Sequence, residues 1–159
     1  MQKGEAHPGS LDFDRAMWQR PPAPKAKRIV EGTFQWDVEP QGGWLEGTVY
    51  PDGSIQDGKY VELARGGWGF VVISDEGKLV AAASGVPPEW IVDIGGAEAW
   101  AIYQAAMYAV PGGGCYISDS LTTVRALQAG VGACTAADKK YARVYKSAAR
   151  FLRRRPLRT

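Results

Sequence analysis

The stretch TVYPDGSIQDG, Thr48 to Gly58, decides how this chain is read. It opens on β-branched and aromatic residues that suit a strand, then meets Pro51-Asp52-Gly53, a tripeptide that also makes turns. Read as a turn, Asp52 is an ordinary surface carboxylate. Read as the end of a buried strand, the same carboxylate is a candidate metal ligand. The residues on either side bear on the choice.

Working outward, WLEGTVY from Trp44 alternates imperfectly in a strand-like way, and GWGFVVIS (67–74) is a short apolar run bounded by glycine and by Asp75. DEGK (75–78) then reads as a hairpin loop with Gly77 supplying a positive φ, and LVAAASG (79–85) as the returning strand. Three consecutive antiparallel strands are expected. GVPPEWIVDIGG cannot be regular structure across Pro87-Pro88, so it delivers the chain to a helix beginning near Gly96. That helix, AEAWAIYQAAMYAV, carries apolar residues or alanine on nearly every side, which implies burial against a sheet, and PGGG ends it. CYISDS is a short strand, and SLTTVRALQAG a short helix that Ser118, Asp119 or Ser120 can cap and Gly130 can close. A final helix is expected from about Ala136 to Arg153, with Tyr141, Val144, Tyr145, Ala148, Phe151 and Leu152 on its packed side. The fold class is therefore α/β, in the α+β sense of a mixed sheet: three antiparallel strands, a helix, a strand that returns through that crossover, then helices.

At 159 residues with 45% hydrophobic content the chain suits one domain. The domain is expected over residues 44–153. Residues 1–43, with RPPAPKAKR and EPQGG, read as a leader that is mostly disordered or extended, within which TFQWDV can pair as an edge strand. Residues 154–159 read as a basic tail. No apolar run reaches the roughly 20 residues of a membrane span, and the N-terminus has no apolar h-region, so an intracellular site is expected with the compartment unspecified. The only histidine is His7, and Cys115 and Cys134 lack metal-ligand spacing, which excludes a His-based triad and a zinc finger built from this chain alone. The net charge of +2 conceals an asymmetry: nine basic and no acidic residues lie from Lys139 to Thr159, against a body that is net acidic. A cationic end on an acidic body points to a polyanionic partner, although a solvated tail or a helix C-terminus that favours cations has the same composition.

Three acids sit where they are costly. Asp52 follows TVY, Glu98 is the sole acid of an apolar helix, and Asp119 closes CYIS. A carboxylate on a buried helix is expensive unless a cation or hydrogen-bond donors meet it. Each has a local alternative: a turn for Asp52, a helix N-terminus for Glu98, an N-cap for Asp119. Taken together, three converging acids without His or Cys partners suit Mg²⁺ or Mn²⁺ and the chemistry of phosphodiesters.

VYPDGS, GGWGFVVISDEGKLVAAASG, AEAWAIYQAAMYAV and CYISDSLTTVRAL, in that order, resemble the ribonuclease H type 1 domain of cellular enzymes and retroelement reverse transcriptases. The resemblance covers about Leu45 to Gly130 and the helix after it. It implies a metal-dependent endonuclease that hydrolyses the RNA strand of RNA–DNA hybrids by a two-metal mechanism. Asp52, Glu98 and Asp119 would be its catalytic, metal-binding carboxylates. Gly53 and Ser54 would lie beside the RNA, Glu98 would also sense a 2′-hydroxyl, and Lys139, Lys140, Arg143, Lys146 and Arg150 would hold backbone phosphates. The family continues into a last strand and a last helix that carries a fourth Asp, and this chain reads as lacking both. Asp138 lies too early to replace that acid. The alternative implied is a catalytically inactive binding or interaction module on the same fold. Pro51 stands where the family has Thr, which predicts an edge-facing or bulged position there.

Overall fold

The computed structural model describes residues 31–59, 64–110, 114–136, 139–152 and 156–159. The elements run β1 (Gln35–Val38), β2 (Thr48–Gln56), β3 (Arg65–Ile73), β4 (Leu79–Gly85), α1 (Ile94–Tyr108), β5 (Cys115–Ile117), α2 (Leu121–Gln128), α3 (Val131–Cys134), α4 (Ala142–Phe151) and β6 (Leu157–Arg158). The six strands form one mixed sheet in the order β1-β4-β3-β2-β5-β6. The β2–β3–β4 meander is antiparallel, while β5 returns through α1 to pair parallel with β2. The fold class expected from the sequence is the one observed.

The alternation of β2 sets the layers. Val49, Pro51 and Gly53 are buried, whereas Tyr50, Asp52 and Ser54 are exposed on the opposite side. Against the buried side lies α1, whose Ala101, Ile102, Ala105 and Ala106 meet Val49, Phe70, Val72, Ala81, Ala83 and Tyr116 in the main core. Alanines along one helix let its axis come close to the sheet. The outer flank of α1 is covered by α4, through Tyr141 and Val144, so the apolar pattern of α1 has a partner on both sides. Helix α4 itself is two-sided: Val144 and Ala148 are buried and Arg143, Lys146 and Arg150 exposed.

Four expectations need adjusting. The first concerns Asp52, which lies mid-strand: β2 pairs with β3 without a break from Thr48↔Ile73 to Gln56↔Arg65, and the turn comes at the second Asp-Gly, where Asp57 has φ 53°. Pro51 is neither bulged nor at a strand end. It pairs with Phe70, and the absence of its N–H is tolerated because β5 covers only Thr48 and Val49 on the other edge of β2. The second is the final helix, which starts at Ala142 after the separate short α3. The third concerns the segment read as a basic tail: Leu157 and Arg158 pair parallel with Tyr116 and Ile117. The fourth is the domain's start at residue 44: the edge strand suggested for TFQWDV forms, with Gln35–Val38 antiparallel to β4, so the sheet reaches into the segment read as leader. The rest of the leader, residues 1–30 with His7, lies outside the described residues, as do Asp138 and Arg153.

Candidate functional site

The site grows from one close approach. Where α1 crosses β2, a Cβ on Gly53 would stand 2.3 Å from the Glu98 nitrogen and 2.4 Å from the Ala97 carbonyl carbon, so only glycine fits. Two residues before Glu98, the first turn of α1 is pinned from its other side, because a Cβ on Gly96 would meet the Tyr141 ring at 2.5 Å. Asp93 caps this turn by accepting from the Gly96 N–H at 2.9 Å, and Lys140 Nζ reaches the same carboxylate at 2.6 Å. Burial alone would push Asp93 upward, but the Lys140 contact and the Gly96 N–H outweigh it and hold the carboxyl below its ordinary value. The Tyr141 hydroxyl accepts from the Val92 N–H. Glu98 is thus held at a fixed height over β2.

Glu98 does not cap the helix, since Asp93 does. Instead its Oε1 accepts from the Gly53 N–H at 3.2 Å, while its buried Oε2 has no partner. The side chain is 6% exposed. Its pKa is pushed up to about 7, mainly by burial and further by the charges of Asp119 and Asp52, against the Gly53 N–H that favours the anion. Asp119 does not cap α2 either: Ser120 holds the N-cap position, its hydroxyl donating to Thr123, and its own N–H is taken by Ser118 Oγ. Two of the three local alternatives for the acids are therefore not what these side chains do, and Asp52 lies outside any turn.

The three carboxylates converge. Asp52 and Asp119, both exposed, and the buried Glu98 each present an oxygen such that all three lie within 4.8 Å of one another. They meet where the β2–β5 pairing stops, on the bare stretch of the β2 edge. Among the described residues no Lys or Arg makes an ion pair with any of them. Three carboxylate oxygens, one of them from a buried side chain, are the hard, anionic donor set that suits Mg²⁺ or Mn²⁺.

The remaining residues picked out by sequence divide. Gly53 and Ser54 follow Asp52, Gly53 serving the packing and Ser54 lying exposed. Lys140 is occupied by Asp93. Lys139 lies beside it, before α4. Arg143, Lys146 and Arg150 recur at helical spacing on the exposed side of α4, with no ion pair among the described residues. Sequence reading missed Asp93, Gly96 and Tyr141, which seat Glu98. The signal for Asp93 was its place three residues before Gly96 at the start of a helix.

The chain is similar in structure to two ribonuclease H domains. One is RNase H1 from the halophilic archaeon Halobacterium salinarum NRC-1, with a TM-score of 0.49 and 21% identity over 70% of this chain and 80% of that one. The other is the PFV RNase H domain in its solution structure, with a TM-score of 0.49 and 18% identity over 74% of this chain and 80% of that one. No family model matches the chain, and no curated protein matches it.

Proposed function

We propose that this chain is a divalent-metal-dependent hydrolase that cuts the RNA strand of RNA–DNA hybrids, with Asp52, Glu98 and Asp119 as its metal-binding carboxylates. Two observations carry the reading together: one oxygen from each of Asp52, Glu98 and Asp119 lies within 4.8 Å of the others, and the buried Oε2 of Glu98 has no hydrogen-bond partner. An anion kept in such a place without a donor is costly unless a cation completes it. Bound Mg²⁺ or Mn²⁺, as a pair in the two-metal form of the reaction, supplies the charge that activates water and stabilises the leaving oxygen of a phosphodiester.

The chain's own residues do the rest. The Gly53 N–H fixes Oε1 of Glu98, which leaves Oε2 without a hydrogen bond and free to bind a cation. Glu98 holds a proton up to about pH 7 and must release it before it can act as a full anionic ligand. Ser54, exposed on the same strand as Asp52, lies beside the path of the RNA, where Glu98 can meet a 2′-hydroxyl. Arg143, Lys146 and Arg150, with Lys139 and Lys140 before them, attract backbone phosphates, Lys140 while remaining tied to Asp93.

The test is cleavage of a labelled RNA–DNA hybrid with Mg²⁺ or Mn²⁺, compared with the Asp52→Asn chain. Metal-dependent cutting of the RNA strand, lost by at least about a hundredfold in the variant as for removal of a group central to charge stabilisation, is the expected result. Equal rates in both chains overturn the reading. A second reading, an inactive binding module, is favoured by one observation: among the described residues the acidic group has three members, with no fourth carboxylate. Salt-dependent hybrid binding without turnover at any metal concentration is its signature, and neutralising Arg143, Lys146 and Arg150 should then weaken binding and flatten its salt dependence.

A further inference from the structure

On the far flank of α1 from the acids lies a second concave feature. Trp100 is two residues beyond Glu98, about 200° around a helix of 3.6 residues per turn, so the two side chains leave α1 in nearly opposite directions. Between the β4–α1 connection and α4 is a cleft of about 310 Å³, lined among others by Trp90, Trp100, Tyr103, Arg143, Ser147 and Glu31. Trp100 meets Tyr103 edge-on, with ring centroids 5.3 Å apart. Trp90 stands at 88° to Trp100, 5.9 Å away, and also leans on Tyr141 at 6.4 Å, yet it remains 43% exposed. Its indole is therefore held in orientation by two aromatic neighbours while much of its surface faces water. Exposing a tryptophan is costly, and fixing one beforehand removes the entropy that a binding partner would otherwise have to offset.

The cleft is next to cations that pair with no anion among the described residues. Arg143 lines it, and Lys146 and Arg150 continue the same exposed side of α4, none with an ion pair among the described residues. A fixed aromatic surface beside a row of unpaired cations fits a chain that alternates flat apolar rings with negative charges. Glu31 at the rim repels phosphate there, which directs the backbone toward α4 and leaves an acceptor for a base's amino group.

The geometry points to this cleft as a stacking site for an unpaired base, so that the chain binds nucleic acid as a duplex at the acids with a single-stranded segment carried across α1 onto Trp90. This rests on the proposed nucleic-acid reading for its setting, but on separate residues. The width of α1 that separates the Glu98 side from the Trp100 side is about one helix diameter, roughly 10–12 Å, a span within reach of a few nucleotides.

The experiment uses the full chain carrying Asp52→Asn, so that turnover does not consume the probe, and reads binding by fluorescence anisotropy. The probes are a blunt RNA–DNA hybrid, the same hybrid with a short single-stranded overhang, and that overhang made abasic. The overhang should tighten binding about tenfold, in the range of stacking one base on an aromatic ring. Adding Trp90→Ala should abolish that gain and leave the blunt hybrid unchanged, Trp90→Phe should keep most of it, and the abasic overhang should lack it. Equal binding of blunt and overhung hybrids, a gain that survives Trp90→Ala, or a full gain from the abasic overhang would each overturn the inference. Trp90-dependent binding of the overhung hybrid with no binding of the blunt one would uphold the cleft and sink the hybrid reading. Binding of no probe sinks both.

Discussion

The two sides of β2 follow opposite rules. On one side Val49, Pro51 and Gly53 lie beneath α1 at distances that leave no room for a methyl group at Gly53. On the other, Tyr50 is 40% exposed, and its cross-strand neighbour Val71 is 39% exposed. The packed side determines where the acids are. The open side carries Asp52 itself, and around it side chains that meet solvent. A five-residue stretch thus holds one position that tolerates nothing beside positions that should tolerate much, and substitutions along it measure the difference.

The largest effect is expected at Gly53. Gly53→Ala drives a methyl into the backbone of Ala97 and Glu98, and should cost at least about 3 kcal/mol, the upper range of overpacking. Thermal or urea denaturation reads it. Ser54→Ala next door should change stability by less than about 0.5 kcal/mol. Comparable losses at both positions would erase the contrast.

Glu98 comes next, and it ties the packed side to pH. Its folded-state pKa of about 7 lies above the ordinary carboxylate value of 4.5, so the folded chain holds a proton that the unfolded chain releases. That stability is fully present below the unfolded value and is lost as pH rises through about 7, amounting to about 3 kcal/mol from linkage. Denaturation midpoints should therefore fall between about pH 4.5 and 7 in the metal-free chain, and Glu98→Gln should flatten that slope. Mn²⁺ should restore stability at pH 8 in the wild type and do so far less in Glu98→Gln. A slope that persists in the variant would assign the effect to another group.

A smaller loss, about 1 kcal/mol, is expected for Asp93→Ala, which removes the N-cap and the Lys140 contact together. Because the cap seats Glu98, metal affinity should weaken in that variant even where folding is complete, as isothermal titration with Mn²⁺ would register. Val71→Thr on the open side, where the valine is already 39% exposed, should cost less than about 1 kcal/mol.

Much of this contrast was legible in the chain. The meander, the crossover helix and the returning strand each had a periodicity or a turn residue that local physics reads directly, and the three acids stood out because carboxylates are rare in such surroundings. What escaped was non-local. Pro51-Asp52-Gly53 has the composition of a turn, and only pairing with Gly69 and Phe70 keeps it extended. The two residues of β6 are too few to show a period, and exist as a strand because β5 offers them an edge. Asp93, Gly96 and Tyr141 belong to one seat assembled from segments 45 residues or more apart, which no local window contains.

The requirement for glycine at position 53 also locks the alignment of the whole sheet. A slip of β2 by one residue against its neighbours would carry Asp52 or Ser54 under α1, where not even a methyl fits, and would turn the metal-facing side chains inward. Misaligned pairings are therefore excluded by the same contact that brings Glu98 to Asp52, so a molecule that has folded at all has its acids in phase.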